Sequence, residues 1–272
     1  MGVVMTSFSV STVAGVPLGL FLAAHLSWHA PFIGIAGLCA VLGLLAAWSL
    51  PLMGAHLVDQ TGRSILTSVR QVLADVNHLK AFAFSGLMMF AGFTVIPYIT
   101  IYMRANVGMQ AEQVPYIYLC GGVVTLFTAR LFGRMTDGWG KVPTFRLLGV
   151  AMLVPLMALT LLGPQPLWQV LVVSTLLFAC MSGRMIPGMA IVASAAQPPL
   201  RGTFMTLNAS VQSAAMGLAA FVGGLIIRRD AQGLVEHYWM SAALGACASL
   251  AAVWLVGRLS LHGMGTTATP VE

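Results

Sequence analysis

Charged side chains are scarce in this sequence. Asp, Glu, Lys and Arg account for 7% of its 272 residues, whereas soluble domains usually contain about 25%. Hydrophobic residues account for 58%, and the mean hydropathy is +0.91. This composition excludes an ordinary water-soluble domain and predicts a polytopic membrane helix bundle of the all-α class.

The first part of the chain lacks charge altogether. No Asp, Glu, Lys or Arg occurs before Asp59, and one helix over that length would be far longer than a hydrocarbon layer about 30 Å thick. Two crossings are therefore expected, with the break near Ser27 to Pro31. The opening residues also lack the basic start of a cleavable signal peptide, so the first segment is expected to stay in the membrane.

Residues that bind metals or perform catalysis are few and scattered. The four cysteines fall in separate apolar runs without CxxC spacing, which predicts small core residues rather than disulfides or ligands. The six histidines lie near the ends of apolar runs. His25 and His29 have i,i+4 spacing, but no third ligand is close in sequence. We predict no metal, no cofactor and no enzymatic activity.

The net charge of +6 raises the question of nucleic acid binding. The basic residues lie between apolar runs, however, and form no patch with interleaved aromatics. We therefore expect no nucleic acid partner. The expected partners are the lipid bilayer and a small-molecule substrate, whose identity the sequence does not reveal.

Eight apolar segments are long enough to cross a bilayer. They cover about residues 3–25, 31–53, 81–103, 114–132, 145–163, 168–196, 203–227 and 238–257. If the first runs outward, the cations that face the cytoplasm are Arg63, Arg70, Lys80, Arg130, Arg134, Lys141, Arg146, Arg201 and Arg258, and those on the other side are Arg104, Arg228 and Arg229. This positive-inside bias predicts a multi-pass protein of the cell membrane with both termini of the chain in the cytoplasm.

The chain divides into four parts by this pattern. Residues 1–53 hold the first two spans, 54–80 a cytoplasmic connection, 81–258 six further spans and 259–272 a cytoplasmic tail. Within the connection, apolar residues recur at three- and four-residue steps from Ile65 onward, which predicts an amphipathic helix at the cytoplasmic interface. The last turn of that helix could equally extend the third span.

Polar residues are concentrated in the third, fourth, sixth and seventh spans, whereas the second, fifth and eighth are nearly featureless. Thr94 and Tyr98 lie on the third span. Because polar groups in hydrocarbon need partners or water, the polar spans are expected to face an interior or a wet cavity. Within the last six spans the plain ones are the third and the sixth, which indicates repeated three-helix units.

Arg184, inside the sixth span, costs about 2.5–3.5 kcal/mol to place at mid-membrane. Helix lengths put it level with Gln212 of the antiparallel seventh span, and Asn208 lies one turn from Gln212 on the same face. Gly183 and Pro187 are expected to loosen the helix beside Arg184. Arg184 could meet an anionic or hydrogen-bonding substrate in a cavity, or be satisfied by carbonyls and amides at a helix contact. For the two amides, contact between helices is the favoured interpretation.

The densest group of charges is GRMTDGWGK, Gly133 to Lys141, at a turn between the fourth and fifth spans. Its spacing, G-x3-D-x2-G-K, resembles the loop signature of the major facilitator superfamily. AGVPLG (Ala14 to Gly19), SWHAPF (Ser27 to Phe32) and the stretch from Ser182 to Gln212 are similar to segments of the drug and sugar efflux branch of that superfamily, the last to permeases of the arabinose-efflux type.

The resemblance implies a fold of twelve helices in two six-helix halves, with this signature after the second and eighth helices. The eight spans would then be family helices five to twelve, and the chain is expected to lack the four N-terminal helices that a complete transporter needs. The implied function is efflux of a small organic solute by a secondary transporter that is inactive as this fragment. The alternative is a non-transporting membrane remnant or a partner-binding subunit with the same fold.

The resemblance also implies roles for individual residues. It places Arg184 on a helix that lines the central pathway. The substrate pathway is then expected to include Thr94, Tyr98, Arg184, Asn208 and Gln212. The loop signature is implied to lock the two halves together in one state; its residues here are Gly133, Arg134, Asp137, Gly140 and Lys141. Asp137 would face the N-terminal end of the first span, where unpaired amides and the helix dipole favour an anion.

Overall fold

The computed structural model describes residues 15–49 and 65–261 of the chain. Its helices are α1 (Val16–His25), α2 (Ala30–Ser49), α3 (Ile65–Ala74), α4 (Val76–Phe93), α5 (Ile99–Ala105), α6 (Val114–Gly138), α7 (Lys141–Ala151), α8 (Leu153–Thr160), α9 (Leu167–Ala195), α10 (Arg201–Ile226) and α11 (Tyr238–Leu255). Single 3-10 turns cover Ile96–Tyr98, Pro198–Leu200 and Val256–Arg258. Two short antiparallel strands, β1 (Arg228–Arg229) and β2 (Val235–Glu236), connect α10 to α11.

Seven helical segments in the described ranges are long and apolar enough to cross a membrane. Two of these segments join two helices each, α4 with α5 and α7 with α8. The seven segments correspond to the second to eighth predicted spans, which confirms the all-α membrane bundle. The third and fourth spans extend further than predicted, to Val76–Ala105 and Val114–Gly138. The start of the first predicted span lies outside the described residues, and α1 forms its last 10 residues.

The segment predicted to connect the second and third spans ends in a helix of its own. α3 stops at Ala74, and Asp75 caps the next helix by accepting a hydrogen bond at Oδ1 from the N–H of Asn77 at 2.7 Å. Val72 of α3 is buried and Arg70 is exposed, as expected of an amphipathic helix, but Leu66 of the predicted apolar face is 77% exposed. Residues 76–80 belong to α4, so the last turn of the predicted amphipathic segment extends the third span.

α9 lies at the centre of the bundle that the last six spans form. It packs against α4, α6, α7 and α8, and α4 packs in turn against α10 and α11. Two groups of buried apolar residues fill this bundle. One surrounds Tyr238 and Met103 near the end where β1 and β2 lie, and the other surrounds Phe84, Phe145 and Phe204 near the opposite end.

α1 and α2 lie outside that bundle. They contact each other, and α1 also packs against α6. α2 has no buried residue, and its Leu44 and Trp48 are 72% and 88% exposed. An apolar helix with so little protein contact is suited to lipid, as the plain sequence of the second span predicts.

Candidate functional site

Arg184 is enclosed where four helices meet. Its side chain on α9 is 1% exposed. It donates from Nη2 to the carbonyl oxygen of Met88 on α4 at 2.7 Å, and from Nη1 to Oγ of Ser249 on α11 at 3.4 Å. Ser249 Oγ donates in turn to the carbonyl oxygen of Gly149 on α7 at 3.0 Å. The guanidinium therefore joins helices through neutral oxygens.

The charge of Arg184 has no anionic partner among the described residues. Its Nε has no hydrogen-bond partner there, and the one contact between a carboxylate and a basic side chain within residues 15–49 and 65–261 joins Asp75 to the His78 imidazole at 3.8 Å. A buried cation without a counter-charge is costly and is tolerated only with good hydrogen bonds. Of the two arrangements that the sequence leaves open, the described residues form the helix contact.

The helix around Arg184 is continuous, although Pro187 has no N–H to donate to the carbonyl oxygen of Gly183. α9 runs without a break from Leu167 to Ala195, with Gly183 and Pro187 both buried inside it. A Cβ on Gly183 would lie 2.5 Å from Cδ2 of Phe132 on α6. The glycine thus serves close packing, and the neighbouring helices hold the backbone of α9 in place.

The two amides expected at the level of Arg184 have other partners. Asn208 of α10 is 2% exposed and accepts at Oδ1 from the hydroxyl of Ser85 on α4 at 2.5 Å. Gln212 lies one turn further along α10 and donates from Nε2 to Sδ of Met189 on α9 at 3.6 Å. Neither amide is hydrogen-bonded to Arg184, but both join α10 to a neighbouring helix.

The span that carries Thr94 and Tyr98 is interrupted between α4 and α5. Pro97 lacks the N–H that an unbroken helix would use at this point, and the chain passes through a single 3-10 turn. The hydroxyl of Tyr98 donates to the carbonyl oxygen of Ala220 on α10 at 2.6 Å. Thr94 is fully buried beside the break. Both residues therefore lie at an irregular section of backbone that faces α10.

Glycines on two neighbouring helices approach this interruption. A Cβ on Gly223 of α10 would lie 2.8 Å from the carbonyl oxygen of Thr94 and 2.9 Å from Cε2 of Tyr98. A Cβ on Gly245 of α11 would lie 2.8 Å from Oγ1 of Thr94. Because real Cβ atoms essentially never come so close, small residues are required here for α10 and α11 to reach the broken span.

The charged signature lies at the junction of α6 and α7, but most of it is helical rather than a turn. α6 continues through Gly133, Arg134 and Asp137 to Gly138, and two residues separate it from α7. The second of these, Gly140, has φ of 94°, a left-handed value that favours glycine. The predicted turn is therefore shorter than the signature and is made at Gly140.

Side chains of α7 fix this junction. Oγ1 of Thr144 lies within hydrogen-bond distance of the carbonyl oxygens of Met135 and Gly140, at 3.1 and 2.9 Å. Lys141 donates from Nζ to Oγ of Ser194 at the end of α9, at 2.7 Å. These contacts tie α6 and α7 to α9.

Two charges of the signature point away from these contacts. Arg134 and Asp137 are exposed, and neither forms an ion pair within the part of the chain that the structure describes. The expected partner of Asp137, the start of the first span, falls in residues 1–14 and so outside the described residues.

Sequence reasoning missed a polar cluster where the starts of α4 and α10 meet the ends of α9 and α11. Asp75 accepts at Oδ2 from Nε2 of Gln197 at 2.6 Å, and these two residues line a cavity of about 440 Å³. His78 accepts at Nε2 from the N–H of Gln197 at 3.2 Å. Asn77 exchanges two hydrogen bonds with the backbone of Ser260, both at 2.9 Å. Asp75 before an apolar run is a helix-start pattern, but the sequence carries no signal for its distant partners.

Known proteins resemble this chain. A family model described as Major Facilitator Superfamily matches residues 1–220 and 81–267. The chain is 27% identical over 261 residues to the "Uncharacterized MFS-type transporter YbcL" of Bacillus subtilis (strain 168), which covers 93% of this chain and 62% of that protein. It is 21% identical over 259 residues to the "Uncharacterized MFS-type transporter YtbD" of the same organism, which covers 93% of this chain and 63% of that protein. The chain thus spans less than two thirds of the length of these relatives.

Proposed function

The chain belongs to the Major Facilitator Superfamily, and on that premise we propose that it forms the greater part of a secondary transporter for a small organic solute. The family match carries this proposal. Seven apolar spans support it, and so does an interrupted helix with polar neighbours, because transporters commonly build substrate sites at such discontinuities near mid-membrane.

The pathway face is proposed to lie on α4, its continuation α5, and α10. Gln212 and Tyr98 are partly exposed polar side chains on these helices, and Asn208 and Thr94 lie buried beside them. Irregular backbone in hydrocarbon is tolerated only where it faces protein or water. The break after α4 meets that condition against α10 and α11, and the partly exposed side chain of Tyr98 is proposed to face the substrate.

Arg184 is proposed to be a positioning residue, which holds α9 against α4 without contacting the solute. With 1% of its surface exposed, it offers no area for a solute, and its bond to Met88 holds α9 against α4. Met88 lies three residues from Ser85, which holds Asn208 of α10. A displacement of α9 would therefore pass through one turn of α4 to the helix that carries the proposed pathway amides.

The junction of α6 and α7 is proposed to be a cytoplasmic latch in the cell membrane. Asp137 is exposed in the last turn of α6, where the helix dipole disfavours an anion by about 0.3–1 kcal/mol. A partner elsewhere would offset that cost. The start of the first span is the proposed partner, because unpaired N–H groups at a helix N-terminus attract an anion.

Efflux is the proposed direction of transport. It rests on the similarity of Ala14 to Gly19 and of Ser182 to Gln212 to segments of the drug and sugar efflux branch. The chain covers 62% and 63% of its two relatives, so the activity of a whole transporter is itself part of the proposal. If the signature follows family helix eight, this chain corresponds to family helices five to twelve. A pathway between two six-helix halves would then also need equivalents of family helices one to four. This chain alone is therefore proposed not to transport.

Accumulation of solutes in a bacterium with disabled efflux tests these proposals. Two genes would be expressed separately: this chain, and the longest reading frame that contains it. We expect the longer frame to lower the accumulation of at least one compound in a panel of organic cations, anions and neutral solutes, and this chain to change none. A longer protein that reaches the membrane and alters no solute would favour a non-transporting membrane protein. Transport by this chain alone would contradict the need for further helices.

A further inference from the structure

A second cavity lies at the opposite end of the bundle from the junction of α6 and α7. Its volume is about 410 Å³, and it is bounded by α5, the loop that follows and the β1–β2 hairpin. Its polar lining comes from Thr100, Arg104 and Arg229, beside Met109 and Gly233. Two arginines from separate elements thus share one cavity, and none of the described residues in its wall is an Asp or a Glu.

Hydrogen bonds fix the walls of this cavity. Asn106 donates from Nδ2 to the carbonyl oxygen of Val235 at 3.0 Å and accepts at Oδ1 from the N–H of Val235 at 2.8 Å. In the hairpin turn, Oδ1 of Asp230 accepts from the N–H groups of Gln232 and Leu234 at 3.0 and 2.7 Å. These bonds fix the backbone of the loop and of the hairpin, from which Arg104 and Arg229 reach the same cavity.

The acids that the structure describes at this end of the bundle, including Asp230 next to Arg229 in the sequence, do not line the cavity. Glu236 lies opposite Arg228 in the register of β1 and β2, and alternation along a strand turns Arg229 to the other face. Glu112 is exposed on the loop between α5 and α6 and does not line the cavity. Neither Arg104 nor Arg229 forms an ion pair within the described ranges.

Arg104 and Arg229 have the chemistry of a phosphate site. Guanidinium groups bind phosphate oxygens through paired N–H donors, and the hydroxyl of Thr100 adds a third polar group to the cavity wall. We propose that this cavity binds a phosphate group, carried by an anionic lipid or by a soluble phosphate, independently of the transported solute. Its place at the end of a span puts it where lipid headgroups lie, and the exposure of both arginines also leaves them accessible to a soluble phosphate.

The test compares the full chain with two variants. The first carries Arg104→Gln and Arg229→Gln. The second carries Arg228→Gln and serves as the matched control. Arg228 is a cation of the same hairpin, but it does not line the cavity. In the lipid arm, native mass spectrometry measures how much phosphatidylglycerol each protein retains, and phosphatidylcholine is the zwitterionic comparison. In the soluble arm, thermal shift measures binding of inorganic phosphate against chloride.

We expect the parent to bind in one arm, which identifies the source of the phosphate. The double variant is expected to bind about a hundredfold more weakly, since each of the two lost charge-assisted hydrogen bonds is worth about a factor of ten. Arg228→Gln is expected to stay within about twofold of the parent. All three proteins should unfold alike, because these arginines are exposed. The proposal is overturned by a parent that binds in neither arm, by a double variant that binds like the parent, or by an equal loss in the control.

Discussion

Arg184 and Met88 are joined by a hydrogen bond of 2.7 Å between guanidinium Nη2 and a main-chain carbonyl oxygen. One turn away on the same helix, Ser85 donates to Asn208 of α10. α4 therefore receives polar contacts from α9 and from α10 within a single turn. The span is interrupted just beyond it, after Phe93. Two of the interhelical polar contacts of the bundle thus fall on the helix that breaks.

Substitution of Arg184 tests whether it is a structural tie. Arg184→Ala is expected to lower the free energy of unfolding by about 2–4 kcal/mol, because it removes two hydrogen bonds and leaves a cavity between packed helices. Unfolding of the purified protein in detergent measures this. Arg130→Ala, on the exposed side of α6, is the control and should change stability by less than about 0.5 kcal/mol. If Arg184→Ala left stability intact but abolished transport by the longer reading frame, direct contact with the solute would be favoured instead.

Two glycines of α10 test how closely that helix approaches the interruption between α4 and α5. Gly223→Ala would place a Cβ 2.8 Å from the Thr94 carbonyl oxygen, whereas a Cβ on Gly217 meets nothing within 4 Å. We expect Gly223→Ala to destabilise the protein by about 1–3 kcal/mol through overpacking. Gly217→Ala should be neutral or stabilising by up to about 1 kcal/mol, as helix propensity predicts. Equal behaviour of the two variants would show that α10 does not approach the broken span closely.

A double-mutant cycle measures the bond between α4 and α10. Ser85→Ala and Asn208→Leu are expected to show a coupling energy of about 0.6–1.7 kcal/mol, the range found for interhelical hydrogen bonds in membranes. Ser85→Ala with Gln212→Leu is the control, because Gln212 bonds to Met189 instead; that pair should be additive within about 0.5 kcal/mol. Additivity of the first pair would contradict the contact.

The latch predicts an effect on transport without an effect on stability. Asp137→Asn removes an exposed charge from the end of α6, so the free energy of unfolding of this chain should stay the same or rise by less than about 1 kcal/mol. Transport by the longer reading frame should fall about tenfold, which corresponds to about 1.4 kcal/mol of lost preference for the latched state. Glu112→Gln, an exposed acid at the opposite end, is the control and should transport normally. Unchanged transport in Asp137→Asn would remove the latch from the proposal.

Helix boundaries show where sequence reasoning fell short. The glycines of the signature favour a loop, since each costs about 1 kcal/mol in a helix, yet α6 continues through Gly133 to Gly138. Packing of α6 along α9 and the contacts of Thr144 across the junction supply the compensation. Tertiary contacts override a local preference of this size, and they involve residues that the signature does not contain.

The partners of Arg184 could not be predicted for a different reason. The rise along a helix fixes the depth of a residue, and on that basis the sequence predicts Gln212 at the level of Arg184. Depth does not fix rotation about the helix axis. The rotation of α9 depends on contacts such as Gly183 against Phe132, and it turns the guanidinium toward Met88 and Ser249.

The sequence by itself determined that this chain is a bundle of membrane helices and that it carries the signature of the Major Facilitator Superfamily. The length of the apolar segments and the scarcity of charge are local properties of the sequence. They stabilise helices in lipid whatever the arrangement of those helices. Only the tertiary structure decided which oxygens accept hydrogen bonds from Arg184, which glycines approach Thr94 and which arginines share a cavity. Those outcomes depend on how helices distant in the chain turn toward one another, and side-chain packing sets that rotation only once the bundle has assembled.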